Sequence, residues 1–147
     1  MNRPGIYRIL TIEALYIPPE NNTPEYRLYP EGIIRITGRG INETKKEVSD
    51  KIMKWIDNYL LDPADVTYVI ISFEYLNSSS TAILVSIIKK ISGVRLMMKK
   101  AVIRWYYEED DEDILERGEY ISAAFNIPVE FIAVSDISSV PDNFTRN

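Results

Sequence analysis

The sequence predicts an α/β fold, a mixed β-sheet with helices packed on it and a β-hairpin leading the chain. Three observations carry that expectation. Runs of β-branched and aromatic residues alternate with segments whose apolar residues recur at helical spacing, the pattern of an α/β layer structure. Two of the β-type runs, 26–29 and 33–37, flank Pro30-Glu31-Gly32, a hairpin signature that places antiparallel pairing at one edge. The 147 residues contain no Pro/Gly/Ser-rich linker, so a single domain over 1–147 is expected.

The elements follow in order. Residues 6–17 alternate loosely and stop at Pro18-Pro19, which makes 1–14 an arm or leading strand, and 20–24 is a turn. After the hairpin, Gly38-Arg39-Gly40 is expected to break the second strand. A first helix is expected from about Asn42 to Leu60, because Val48, Ile52, Trp55, Ile56 and Tyr59 form one stripe; Asp62-Pro63 lies beyond its end. The run 66–76 is a strand. A second helix is expected over 80–92, burying Ile83, Leu84, Ile87, Ile88 and Ile91, with Gly93 as its stop. The run 101–107 is the next strand. Residues 108–113 open a third helix, whose inward side carries Ile114, Leu115, Ile121 and Phe125. A short strand, 129–133, follows Pro128, and the polar tail 135–147 is expected to be mobile.

Composition narrows the chemistry. The chain has no Cys and no His, which removes thiolate nucleophiles, zinc–thiolate sites and the usual general base near neutral pH. A net charge of −5 disfavours nucleic acid as a partner, since affinity there rests on neutralising phosphates. No apolar run is long enough to cross a bilayer and the first residues lack a secretory signal, so no membrane partner and a cytoplasmic setting are expected.

The most informative stretch is 70–84. A β-type run ends in Ser78, Ser79, Ser80 and Thr81, and an apolar helical pattern begins directly after them. Backbone N–H groups of a first helical turn have no intrahelical partners, and the helix dipole adds partial positive charge there. A phosphate on one of these hydroxyls would meet a site suited to anions. Helix capping explains one serine but not three and a threonine. The cluster therefore points to a phosphorylation switch, with no catalytic residue and no cofactor. Glu108 to Asp113 lack the spacing of a calcium loop and suit the first turn of a helix, so no metal ligand is assigned. A carboxylate-based metal-dependent hydrolase using Asp110, Asp111 and Asp113 is the enzymatic alternative. Trp105, Tyr106 and Tyr107 should mainly pack, with one ring near the switch.

The element order suits a small STAS-like domain, and several segments support a family resemblance. Asn22-Thr23-Pro24-Glu25, Ile34-Arg35-Ile36-Thr37-Gly38-Arg39-Gly40 with Asn42-Glu43, Glu74-Tyr75-Leu76-Asn77-Ser78-Ser79-Ser80 and the run from Trp105 to Glu116 resemble the SiaC family of bacterial regulatory phosphoproteins. That family is similar in fold to SpoIIAA-type anti-sigma factor antagonists. The resemblance implies a partner-switching cycle. A dedicated Ser/Thr kinase phosphorylates the hydroxyl after the Asn, and a PPM-type (PP2C-like) phosphatase removes the phosphate. The unphosphorylated form binds a target, a diguanylate cyclase or, in the alternative reading, an anti-sigma factor controlling transcription. The family acceptor is usually Thr; Ser78 occupies its place here. SpoIIAA-like proteins modify the second hydroxyl of their motif, which would be Ser79. Tyr75, Asn77, Ser79, Ser80 and Thr81 would form the switch turn, with Tyr107, Glu109 and Asp110 as further partner surface.

Overall fold

The computed structural model describes residues 12–140. Its six strands are β1 (Leu15–Ile17), β2 (Glu25–Tyr29), β3 (Ile33–Gly40), β4 (Val66–Leu76), β5 (Lys100–Glu108) and β6 (Val129–Val134), and they lie side by side in chain order. β1, β2 and β3 pair antiparallel, whereas β3 through β6 are parallel. The parallel strands are joined by α1 (Lys46–Tyr59), α2 (Ser78–Ile91) and α3 (Glu112–Ala124). Each crossover steps one strand in the same direction, so right-handed connections bring all three helices onto one face of the sheet. The expected mixed sheet with a leading hairpin is the architecture observed.

Strand side chains alternate between faces. The helix-covered face presents Tyr26 and Leu28, Ile34 and Ile36, Val69, Ile71 and Phe73, and Ala101, Ile103 and Trp105, all buried. The helices answer with Ile52, Trp55, Ile56 and Tyr59, then Leu84, Ile87, Ile88 and Ile91, then Ile114 and Ile121. Burying each such side chain contributes about 1.5–3 kcal/mol. α3 sits close to the sheet because Gly118 lies on the Trp105 ring, where a Cβ would come within 2.7 Å of the indole. The Trp105 Nε1–H donates to the Ile114 carbonyl at 3.0 Å. On the opposite face of the antiparallel edge, Glu25 accepts hydrogen bonds from Tyr16 (3.0 Å), Thr37 (3.2 Å) and Arg27 (3.3 Å).

Several boundaries differ from the sequence expectation. The first helix starts at Lys46, not Asn42, because the N–H groups of Ile41 and Asn42 both donate to the Asn22 carbonyl, at 3.0 and 3.1 Å, and hold that segment as a loop. β3 runs through Gly38-Arg39-Gly40 instead of breaking there. Gly93 is not a stop: after Ile91 the chain continues as a 3-10 turn, Ser92–Met97, and Met98 takes the left-handed conformation (φ 63°). Ile83, Leu115 and Phe125 are only half-buried. The segment after β6 does not trail away through Val140. Ile137 and Val140 are buried, and the Ile137 N–H donates to Glu108 Oε2 at 3.0 Å. Residues 1–11 of the leading segment and 141–147 of the tail lie outside the described residues; inside the described range, Trp55 Nε1–H donates to the Glu13 carbonyl at 2.7 Å, fixing the approach to β1. Among the described residues no helix is long and apolar enough to cross a membrane.

Candidate functional site

The site begins with an irregularity between β3 and β4. Their register runs evenly to Gly38 opposite Phe73, then Arg39 faces Tyr75 and Gly40 faces Leu76, leaving Glu74 as an extra residue. Gly38 adopts φ 109°, open to glycine because it has no Cβ to clash. The bulge changes which side chains point inward: Leu76 is buried, while Glu74 and Tyr75 are exposed. Arg39 and Glu74 form an exposed ion pair at 2.8 Å, worth at most ~1 kcal/mol in solvent.

Asn77 then converts strand to helix. Its N–H donates to the Gly40 carbonyl at 2.8 Å and its side-chain Nδ2 donates to the Ile41 carbonyl, so β3 holds it in place. Its Oδ1 accepts from the Ser80 N–H at 2.8 Å, making Asn77 the N-cap of α2. The Asn77 carbonyl accepts from the Thr81 N–H (2.9 Å) and the Thr81 hydroxyl (2.7 Å). The helix therefore starts at Ser78, two residues earlier than expected, and no serine is needed as its cap.

The three serines consequently occupy the first turn and differ in environment. Ser78 is exposed and Ser79 is half-buried. Ser80 is 3% exposed, and its Oγ is buried with no hydrogen-bond partner among the described residues. It packs against Gly40, where a Cβ would sit 2.6 Å from the Ser80 Oγ. The first turn of α2 itself carries no acidic residue, so its dipole is not offset from within the turn.

α3 completes the surroundings. Arg117 Nη1–H donates to the Thr81 hydroxyl oxygen at 3.1 Å. An open groove of about 430 Å³ beside this contact is lined by Thr81, Asp113, Glu116, Arg117, Tyr120 and Ile121. Tyr107 lies half-buried against the core near the end of β5, and Glu109 and Asp110 form the exposed turn after it. Tyr75, Asn77, Tyr107, Glu109 and Asp110 thus lie along the carboxyl edge of the parallel strands, where open α/β sheets place their sites.

The acidic run is divided among tasks instead of opening a helix as one block. Glu108 belongs to β5 and holds Ile137, whereas Asp111 caps α3 through its Oδ1, accepting from the Ile114 N–H at 3.1 Å. Among the described residues no three acidic side chains converge to hold a metal ion. Sequence reasoning missed Gly40, Ile41 and Arg117. Nothing local in the sequence marks their roles, because those roles arise from contacts with residues remote in the chain: Asn77 and Ser80 for Gly40, Asn77 for Ile41 and Thr81 for Arg117.

Comparison with known proteins places this arrangement in context. The profile of the SiaC family regulatory phosphoprotein matches residues 17–134. An uncharacterized protein of Pseudomonas aeruginosa (strain UCBPP-PA14) is 23% identical over 106 residues, 71% of this chain and 84% of its own length. Among solved structures, diguanylate cyclase SiaD in complex with its activator SiaC from Pseudomonas aeruginosa matches with a TM-score of 0.74 and 21% identity, covering 82% of this chain and 99% of the other. Apo-SiaC from the same organism matches with a TM-score of 0.72 and 21% identity, covering 83% and 100%. At these identities the structural likeness establishes the fold.

Proposed function

The chain belongs to the SiaC family of regulatory phosphoproteins, and from that premise we propose that it is a non-catalytic cytoplasmic switch, phosphorylated reversibly on Ser78, whose unphosphorylated form binds and activates a diguanylate cyclase. One observation carries the choice of residue. Ser78 is the exposed hydroxyl of the first turn of α2, while Ser79 is half-buried and Ser80 is sealed beneath Gly40. The choice of target is supported by the matched SiaC, which is the activator of the cyclase SiaD in its complex.

In the forward step a kinase directs Ser78 Oγ onto the γ-phosphorus of ATP. The new O–P bond forms as the β–γ bridging bond breaks, ADP leaves, and the hydroxyl proton passes to the kinase. In the reverse step a PPM-type phosphatase delivers water to phosphorus and releases inorganic phosphate, restoring the hydroxyl. The modification adds about −1.5 to −2 charges at neutral pH. Within the chain that charge meets the start of a helix, where an anion is favoured by ~0.3–1 kcal/mol. At a docked interface the same charge is desolvated and faces a chain shaped for a neutral hydroxyl, a mismatch that costs several kcal/mol. The fold persists while the complex fails.

The test uses the full chain carrying authentic phosphoserine at position 78. Calorimetric titration against the diguanylate cyclase of the same genome should show tight binding of the unmodified chain, and at least about tenfold weaker binding of the modified one. Cyclase output should fall in parallel. Equal affinity of the two forms would refute the switch.

A further inference from the structure

We propose that Arg117 is the internal counter-ion of the modified switch: it holds the Thr81 hydroxyl in the unmodified chain and transfers to the phosphate once Ser78 carries one. The inference rests on Ser78 being the acceptor, and it adds a residue and a conformational consequence to that reading.

The geometry begins at Thr81. Its hydroxyl points back along α2 to donate to the Asn77 carbonyl at 2.7 Å, and Arg117 donates to the same oxygen at 3.1 Å. The guanidinium therefore lies level with the opening of α2 although Thr81 is the fourth residue of that helix. Ser78 is three positions before Thr81, about 60° away around the axis, with Cβ atoms roughly 5–6 Å apart. Ser79 points about 160° away from Thr81. A phosphate on Ser78 is thus within reach of a modest rotation of the Arg117 side chain, and a phosphate on Ser79 faces elsewhere.

The chemistry agrees. Arg117 is the only basic residue of α3, which also carries Glu112, Asp113, Glu116 and Glu119. Among the described residues it has no ion-pair partner; its one hydrogen bond is to a neutral hydroxyl, which leaves most of its five N–H donors available. A guanidinium fork matches two phosphate oxygens far better than one hydroxyl. Asp113 and Glu116 line the groove beside Arg117, so among the described residues Arg117 is the only cation that groove offers to a phosphate reaching towards it from Ser78. Transfer of the arginine would draw α3 and the first turn of α2 together through one charge-assisted contact. The modified surface then differs from the unmodified one in shape as well as in charge.

The experiment follows the second ionisation of the phosphate by phosphorus NMR, in the full chain with phosphoserine installed at position 78. With Arg117 present this ionisation should occur about one pH unit lower than in Arg117→Gln, where Asp113, Glu116 and the Tyr120 hydroxyl line the groove and the value returns to about 6 or above. Arg117→Lys should keep part of the shift, since it restores the charge but not the fork. Phosphoserine at position 79 should titrate identically with and without Arg117. The Arg117 Nε–H resonance of the natural chain provides a readout that needs no variant, and it should move on phosphorylation of Ser78. Identical titration of phosphoserine 78 in the natural chain and Arg117→Gln, or an unmoved Nε–H resonance, would overturn the proposal. Coupling to Arg117 with no loss of cyclase binding would sink the switch and leave the counter-ion standing; the opposite result would do the reverse.

Discussion

Asn77 carries two duties that one side chain rarely combines. Its oxygen caps α2 and its nitrogen grips the Ile41 carbonyl, so the two ends of the amide are not exchangeable. Asp is as good a helix cap as Asn, yet a carboxylate cannot donate to Ile41 and would face that carbonyl with like partial charge. Asn77→Asp should therefore lose about 1–2 kcal/mol of stability, read as a lower urea midpoint at pH 7. An unchanged midpoint would mean that the bond to Ile41 contributes nothing. This residue also shows where sequence reading stopped. The handover from strand to helix was legible in the run of hydroxyls. Which residue caps was not, because Asn and Ser are equally suited and only the carbonyls of Gly40 and Ile41, brought in by β3, select the one with a donor. Arg117 was illegible for the same reason: on its own helix it is an ordinary surface cation.

At the level of elements, apolar periodicity and β-type runs located the three α-helices and strands β2 to β6, whereas β1 was legible only as part of a loosely alternating arm. Boundaries moved where long-range hydrogen bonds overrode local pattern, as in the delayed start of α1 and the passage of β3 through its glycines. The antiparallel edge offers a pH-dependent consequence. Burial raises the Glu25 carboxyl, but bonds from Arg27, Tyr16 and Thr37, with the charge of Arg27, outweigh it and leave the group below its ordinary value of 4.5. A carboxylate held low in the folded chain stabilises it above the unfolded-state pKa, and that contribution disappears as pH falls through the folded value. Urea midpoints of the natural chain should thus decline more steeply on acidification below about pH 4.5 than those of Glu25→Gln. Parallel profiles would remove Glu25 from the account of this edge.

For the whole molecule, a net charge of −5 sets how far phosphorylation can act. A dianion added to an already acidic chain raises self-repulsion slightly, and its position at the start of α2 offsets part of that. The melting temperature of the chain with phosphoserine at 78 should stay within about 4 °C of the unmodified chain. Calorimetry of both forms checks this; a drop far larger would mean that the modification works by unfolding α2 and not by blocking a docked partner.

The bonds that fix the turn carrying Ser78 come from distant parts of the chain: Asn22 holds Ile41 and Asn42, and Gly40 and Ile41 hold Asn77. A newly made polypeptide possesses Ser78 before it possesses this shape, since pairings between remote segments form more slowly than local ones. An enzyme of the kind proposed, if it reads this shape, would be blind to unfinished copies. On the proposed reading, phosphorylation of Ser78 would then report on folded copies of the chain alone.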